Sequence, residues 1–334
     1  MNDVPYERCD VQEPASRLLP VLEATLNRLR QAYNERQISP GTIERVYLRK
    51  GWIAVTGTNL ECGIAPCHGN FPGKMPDTNT PVLRQLQSLI GIPLLVLPDL
   101  KLSLSPQLDS SVKLAALCAL SQPFLGCPTI RRCGWHAECW RAGDPFILDN
   151  PVFSRMIRPD DIVAVAGPWI GCRRLWEICR ELHVIVPDPD PISCSLGVGN
   201  TISVGPTRIH CHAPEEQKEI LGNADVVLIP SSILADGTFE QCLGDAKNAR
   251  LTGLVGPGAS LVPDAFFSRG FDFIQSCRII DTQHFTDDFM NDRDLLVGVS
   301  GYQKQYLFVR KDRAGYRDSG TLYTDCQNNR ELCR

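Results

Sequence analysis

No run of the sequence approaches the roughly 18 apolar residues of a membrane span, and Met1 to Pro14 is polar, without the apolar centre of a signal peptide. A cytoplasmic location and no membrane partner are the resulting expectations. Lys and Arg form no block in a chain of net charge −4. Nothing therefore offers the basic surface that nucleic-acid phosphates require. The sequence also lacks a Walker loop, a His-Glu-x-x-His helix, a Ser-His-Asp set and a paired-carboxylate signature. Familiar hydrolase and phosphotransfer chemistries are unsupported, and no catalytic residue is named. Internal repeats and low-complexity tracts are absent as well.

Cysteine, by contrast, is plentiful: 15 in 334 residues. In a reducing compartment thiols are buried hydrophobes, metal ligands or reactive groups more often than disulfides. The odd number leaves at least one unpaired. With 43% hydrophobic and 22% charged residues the composition is that of an ordinary globular protein. The length exceeds what one core usually holds and predicts two domains.

Leu18, Leu19, Val21, Leu22, Leu26, Leu29 and Tyr33 carry a helical period over 15–36. Arg45 to Arg49 and Trp52 to Val55 flank Lys50-Gly51 as a hairpin, with another short strand at Cys62 to Ala65. Residues 66–80 read as a loop, Ile92 to Leu97 as a strand or buried extended piece, and Asp109 to Leu120 as a helix capped by Asp109 or Ser110. Ser121 to Pro159 has no clear period and reads as a connector. Beyond it, apolar runs alternate with helical patterns: strands at Ile162 to Ala166, His183 to Pro187, Val226 to Pro230, Leu251 to Val255 and about 271–280. That alternation marks buried parallel strands, about five, crossing through helices. The fold class expected is α/β: a small α+β domain over 15–150, a parallel-sheet domain over 151–292, and a C-terminal extension over 293–334 whose last part, 311–334, is polar and tail-like.

In parallel sheets ligands bind at the carboxyl ends of strands. Gly167 and Gly171 follow one strand and open a helix, where backbone N–H groups can hold an anion. Asp188 lies where a ribose-binding acid would stand. The spacing is Gly-x-x-x-Gly, and Pro168 removes a donor. A tight turn without a nucleotide is the alternative. Ser231, Ser232 and Thr238 after the next strand, with Gly256, Gly258 and Ser260 after its neighbour, can hydrogen-bond a carboxylate or phosphate or act as caps and turns. These loops are expected to converge on one pocket, and Gly256→Val to weaken a ligand while sparing the fold.

Cys127, Cys133, His136 and Cys139 form C-x5-C-x2-H-x2-C, with Cys67 and His68 as further donors from the same half. Thiolate and imidazole suit zinc or another borderline-soft ion and disfavour magnesium and calcium. An aromatic and cysteine packing cluster with Trp135 and Trp140 is the alternative. His210, Cys211 and His212 are adjacent, so on an extended chain only His210 and His212 share a face; a surface loop is the competing reading. Cys118, Cys172, Cys179, Cys242 and Cys277 sit in apolar patterns and read as core residues.

Ala224 to Val227, Asp236-Gly237-Thr238, Gly256-Pro257, Leu261-Val262-Pro263 and Gly270-Phe271-Asp272, with Ile162 to Pro168 upstream, resemble the putative heavy-metal chelation family. A fainter likeness runs through Val46 to Gly63 and Ser111 to Leu117, so that about residues 15–290 are covered. The resemblance implies an enolase-N-terminal-like domain followed by a Rossmann-like domain, and a metal ion or metal-containing small molecule bound in the cleft between them. Pro230-Ser231 and Ala259-Ser260 depart from that family's pattern. The alternative is a nucleotide- or adenosyl-cofactor-dependent enzyme modifying a small metabolite. Neither reading fixes whether the chain is a homo-oligomer.

Overall fold

The computed structural model describes residues 18–49, 51–67, 80–132, 135–141, 156–167, 175, 178–186, 209–291 and 303–310. Helix α1, Pro20–Arg36, opens with proline at its first position and closes on Gln37 in the left-handed region. Its apolar stripe from Val21 to Tyr33 is buried, and Tyr33 donates to the Leu120 carbonyl at 3.0 Å. Strands β1 (Ile43–Arg49), β2 (Trp52–Gly57) and β3 (Cys62–Pro66) form an antiparallel meander. Arg49 faces Trp52 across the expected hairpin, and Gly51 supplies the positive φ, 77°, that its turn needs. The short helix α2 spans Pro81–Gln87.

Helix α3, Pro106–Ser121, packs on β2 and β3 and is buried almost throughout. Asp109 does not cap it: the helix begins three residues earlier, and Asp109 instead pairs with Lys113 one turn on, at 3.0 Å. Gly63 explains the close approach of α3 to β3, because a Cβ there would fall 2.0 Å from the Ala115 carbonyl oxygen. The run Ile92 to Leu97 is not a strand. Pro93 makes one isolated bridge to Thr42, and the chain turns into a 3-10 segment at Leu97–Asp99. Pro93 and Pro98 lack the N–H that a continuous ladder requires.

The second sheet has eight strands in the order β4-β11-β10-β9-β8-β5-β6-β7 among the described residues. They are β4 (His136–Arg141), β5 (Ile162–Val165), β6 (Glu181–Ile185), β7 (Ile209–His212), β8 (Val226–Pro230), β9 (Leu251–Val255), β10 (Phe273–Ile279) and β11 (Gln303–Val309). Six, from β10 through β7, run parallel, and β11 pairs antiparallel with both β10 and β4. The α/β class holds, as a large mixed sheet rather than about five parallel strands. Two of its strands come from segments read as a connector and as an extension. The connector also holds helix α4, Cys127–Arg132. Boundaries at 150 and 292 cut this sheet, since β4 precedes the first and β11 follows the second.

Strands β8 and β9 are buried at every position, as parallel strands covered on both faces must be. One buried apolar cluster runs without a break from Val21 and Leu117 to Ile229 and Phe266, so the two halves share a core. A second cluster, with Val163, Val184, Leu228 and Phe273, covers the other face of the large sheet. No helix is long and apolar enough to cross a membrane among the described residues.

Candidate functional site

The chain lays β5, β6 and β7 outward in one direction and returns to place β8 on the other side of β5. Such a reversal is a topological switch point, where open α/β sheets bind ligands. Gly167 and Ser231 follow the two strands that flank it. Gly167 has a φ of 142°, and a Cβ on it would meet Pro230 at 3.7 Å. Ser231 donates its N–H to the Val255 carbonyl at 2.8 Å, and Gly256 donates to Gln275 at 3.1 Å. The strand-end loops thus lie side by side on one sheet edge.

The hydroxyls of Ser260 and Thr238, however, are engaged by protein, and the turns around Ser231 are close-packed. The Ser231 hydroxyl lies 2.9 Å from where a Gly256 Cβ would be and 3.0 Å from that of Gly258. Ser260 is buried, donates to the Pro257 carbonyl at 2.9 Å or to the Cys277 carbonyl, and meets the Ser276 hydroxyl at 2.9 Å. Thr238 is exposed and donates both its N–H and its hydroxyl to Asp236, at 3.0 and 2.7 Å. The Ser232 carbonyl accepts from Ala235 at 3.0 Å. Gly171 and Asp188 lie outside the described residues.

Cys127 is buried at the start of α4, His136 is half-buried at the start of β4, and Cys67 is buried just after β3. Cys139 belongs to β4, with its side chain outside the described part; Cys133 and His68 are also outside it. Three other thiols meet at the junction of the halves: Cys62 on β3, Cys118 on α3 and Cys277 on β10. All are buried. Burial pushes all three thiols up, Cys277 to about 12, and the Cys277 sulfur raises Cys62 and Cys118 further. Burial thus favours the protonated thiol at each of the three.

A different donor set assembles on β6 and β7. Glu181 and His183, two apart on β6, share a face, and His183 is the register partner of His210 on β7. Ligand atoms of Glu181, His183 and His210 all lie within 4.8 Å of one another. Two atoms each about 2.1 Å from a tetrahedral ion stand about 3.4 Å apart. His183 Nε2 and Glu181 Oε2 are at 3.4 Å already. The His183 and His210 rings face each other at 4.9 Å. Burial lowers the His183 basicity, against an opposing pull from the Glu181 carboxylate, which favours the neutral imidazole that a metal needs.

His212 extends the cluster: its Nε2 is 2.9 Å from His183 Nδ1, and its Nδ1 is 3.3 Å from Glu216 Oε1. Glu216 is held below the usual carboxylate range by the Ala213 N–H and by His212. Cys211, between the two histidines, packs instead against the apolar cluster on the sheet. Sequence reasoning paired His210 with His212 but missed Glu181 and His183. The signal was there in the alternation Glu-x-His beside His-x-His, and it needed the pairing of β6 with β7 to become a site.

A family model described as putative heavy-metal chelation, the DUF364 family, matches residues 200–292. No curated protein matches. Two solved structures are similar, both described as proteins of unknown function from that family. One, from Desulfitobacterium hafniense, is 17% identical with a TM-score of 0.58 and covers 87% of this chain and 97% of its own. The other, from Pyrococcus horikoshii, is 15% identical with a TM-score of 0.54 and covers 87% of this chain and 100% of its own. The likeness to the putative heavy-metal chelation family is thus shown, by its model over 200–292 and by a fold shared with two of its solved structures.

Proposed function

We propose that this protein binds a borderline-soft metal ion, zinc by preference, through Glu181, His183 and His210. The observation that carries the reading is the convergence of those three ligand atoms within 4.8 Å on neighbouring strands. Two imidazoles and a carboxylate are donors for zinc rather than for magnesium or calcium, and the family description, heavy-metal chelation, agrees. Three protein ligands leave a coordination position open, through which a metal-containing small molecule or an exchanging ligand can enter. The edge of the sheet is preferred to the cleft between the halves because Gly258, Ser231 and Ser260 are closed in there by protein contacts. Equilibrium dialysis against zinc and against magnesium tests the proposal. Stoichiometric zinc with no magnesium is expected, and a protein that takes up neither overturns it.

A second reading keeps one observation in its favour. Gly167 stands at the switch point, and the nearest atom to a Cβ there is Pro230 at an ordinary contact distance of 3.7 Å, so the backbone there leaves room for a nucleotide or adenosyl ligand of an enzyme. A thermal-shift screen against such compounds separates the two.

A further inference from the structure

We infer that His212 and Glu216 are positioning residues, which hold His183 in the tautomer that turns its Nε2 lone pair toward the metal. The inference rests on the metal reading above and adds to it two residues that touch no ion. Four groups stand in line: Glu181 Oε2, the His183 ring, the His212 ring and Glu216 Oε1, separated by gaps of 3.4, 2.9 and 3.3 Å. The two rings lie 16° from parallel with centroids 5.1 Å apart. With their nitrogens at 2.9 Å, they meet edge to edge along the N···N line and do not stack face to face.

Ionised carboxylates only accept hydrogen bonds, and each neutral imidazole carries one N–H. Three gaps therefore share two protons. With both rings neutral, one gap is left with two acceptors facing each other, and a metal cation or a further proton completes it. The middle gap is the shortest, and two lone pairs do not approach at that distance, so it holds a proton. The deficit falls at one end. At the Glu216 end a cation would find only His212 and that carboxylate, which also accepts the Ala213 N–H at 3.0 Å. At the Glu181 end it finds three donors, with Arg180 lying 3.6 Å from the other oxygen of Glu181. An ion there sends both imidazole protons the other way: His183 Nδ1–H donates to His212, and His212 Nδ1–H donates to Glu216. Outer partners of this kind fix the ring and tautomer of metal-binding histidines.

Nitrogen-15 NMR of the imidazoles in metal-free protein reads the tautomer without any metal. The neutral Nδ1–H form of His183 is expected in the unmodified protein, giving way to a mixture in His212→Phe and in Glu216→Leu. Zinc affinity, measured by calorimetry, should fall about ten- to hundred-fold in His212→Phe, while Glu216→Gln, which keeps an accepting oxygen, stays near the unmodified value. His183 found as Nε2–H, or a tautomer and an affinity both unmoved by His212→Phe, would overturn the inference. Glu216 lies on an exposed turn, so its variant reports even if His212→Phe fails to fold. If the tautomers behave as expected and the unmodified protein takes up no zinc, the metal reading falls, and what stands is that His212 and Glu216 set the His183 tautomer.

Discussion

The thiol of Cys118, on α3, donates to the carbonyl of Gly258, in the turn after β9, at 3.4 Å. That bond ties the three-stranded half to the large sheet at the place where the strand-end loops gather. A Cβ on Gly258 would lie 2.9 Å from Pro66 and 3.0 Å from the Ser231 hydroxyl. The junction is packed by protein on every side that these atoms define.

Gly256→Val consequently acts on the fold and not on a ligand alone, contrary to the expectation from sequence. Gly256 has a φ of 111°, and a Cβ there would stand 2.9 Å from the Ser231 hydroxyl. Backbone strain and overpacking each cost about 1–3 kcal/mol. Urea unfolding should show a loss of at least about 2 kcal/mol; an unchanged midpoint would mean that the turn relaxes freely.

Lys113 and Asp109 form an ion pair at 3.0 Å with each side chain only 3% exposed. Removing one partner strands a buried charge, which costs about 3–5 kcal/mol. Lys113→Met should therefore be strongly destabilising. Adding Asp109→Leu should recover much of the loss, because a buried pair replaced by apolar groups is often neutral. Chemical denaturation of both single variants and the double variant measures the coupling, and additive losses would argue against it.

The thiols at the junction make stability depend on alkaline pH. Burial raises Cys277 from 9.0 to about 12, and Cys62 and Cys118 rise in the same direction. The unfolded chain releases these protons above about pH 9 while the folded chain retains them. The stabilisation is thus complete below the unfolded value and is lost as pH climbs through the folded one. Each thiol contributes a slope of up to about 1.4 kcal/mol per pH unit. Unfolding midpoints at about pH 8 and pH 10.5 should differ by less in Cys277→Ala than in the unmodified protein.

Much of the fold is legible in local pattern. The period of α1, the Lys50-Gly51 hairpin and the apolar runs of β8 and β9 each declare their structure, since each satisfies its own burial rule. Strands β4 and β11 are not legible. They pair with each other across about half of the sequence, and no local period records a partner so distant. The metal candidate was half visible for the same reason. His210 and His212 announce a shared face within one strand, whereas Glu181 and His183 join them only through the register of β6 with β7. Asp109, taken for a cap, is a buried ion-pair partner because α3 starts at Pro106.

The most direct measurement is zinc content after dialysis for three proteins: unmodified, His183→Ala with His210→Ala, and Cys133→Ser with Cys139→Ser. The account predicts stoichiometric zinc in the first and third and none in the second, all three being folded by circular dichroism. Zinc retained by the histidine variant and lost from the cysteine variant would contradict it and move the site to the Cys127, Cys133, His136 and Cys139 segment.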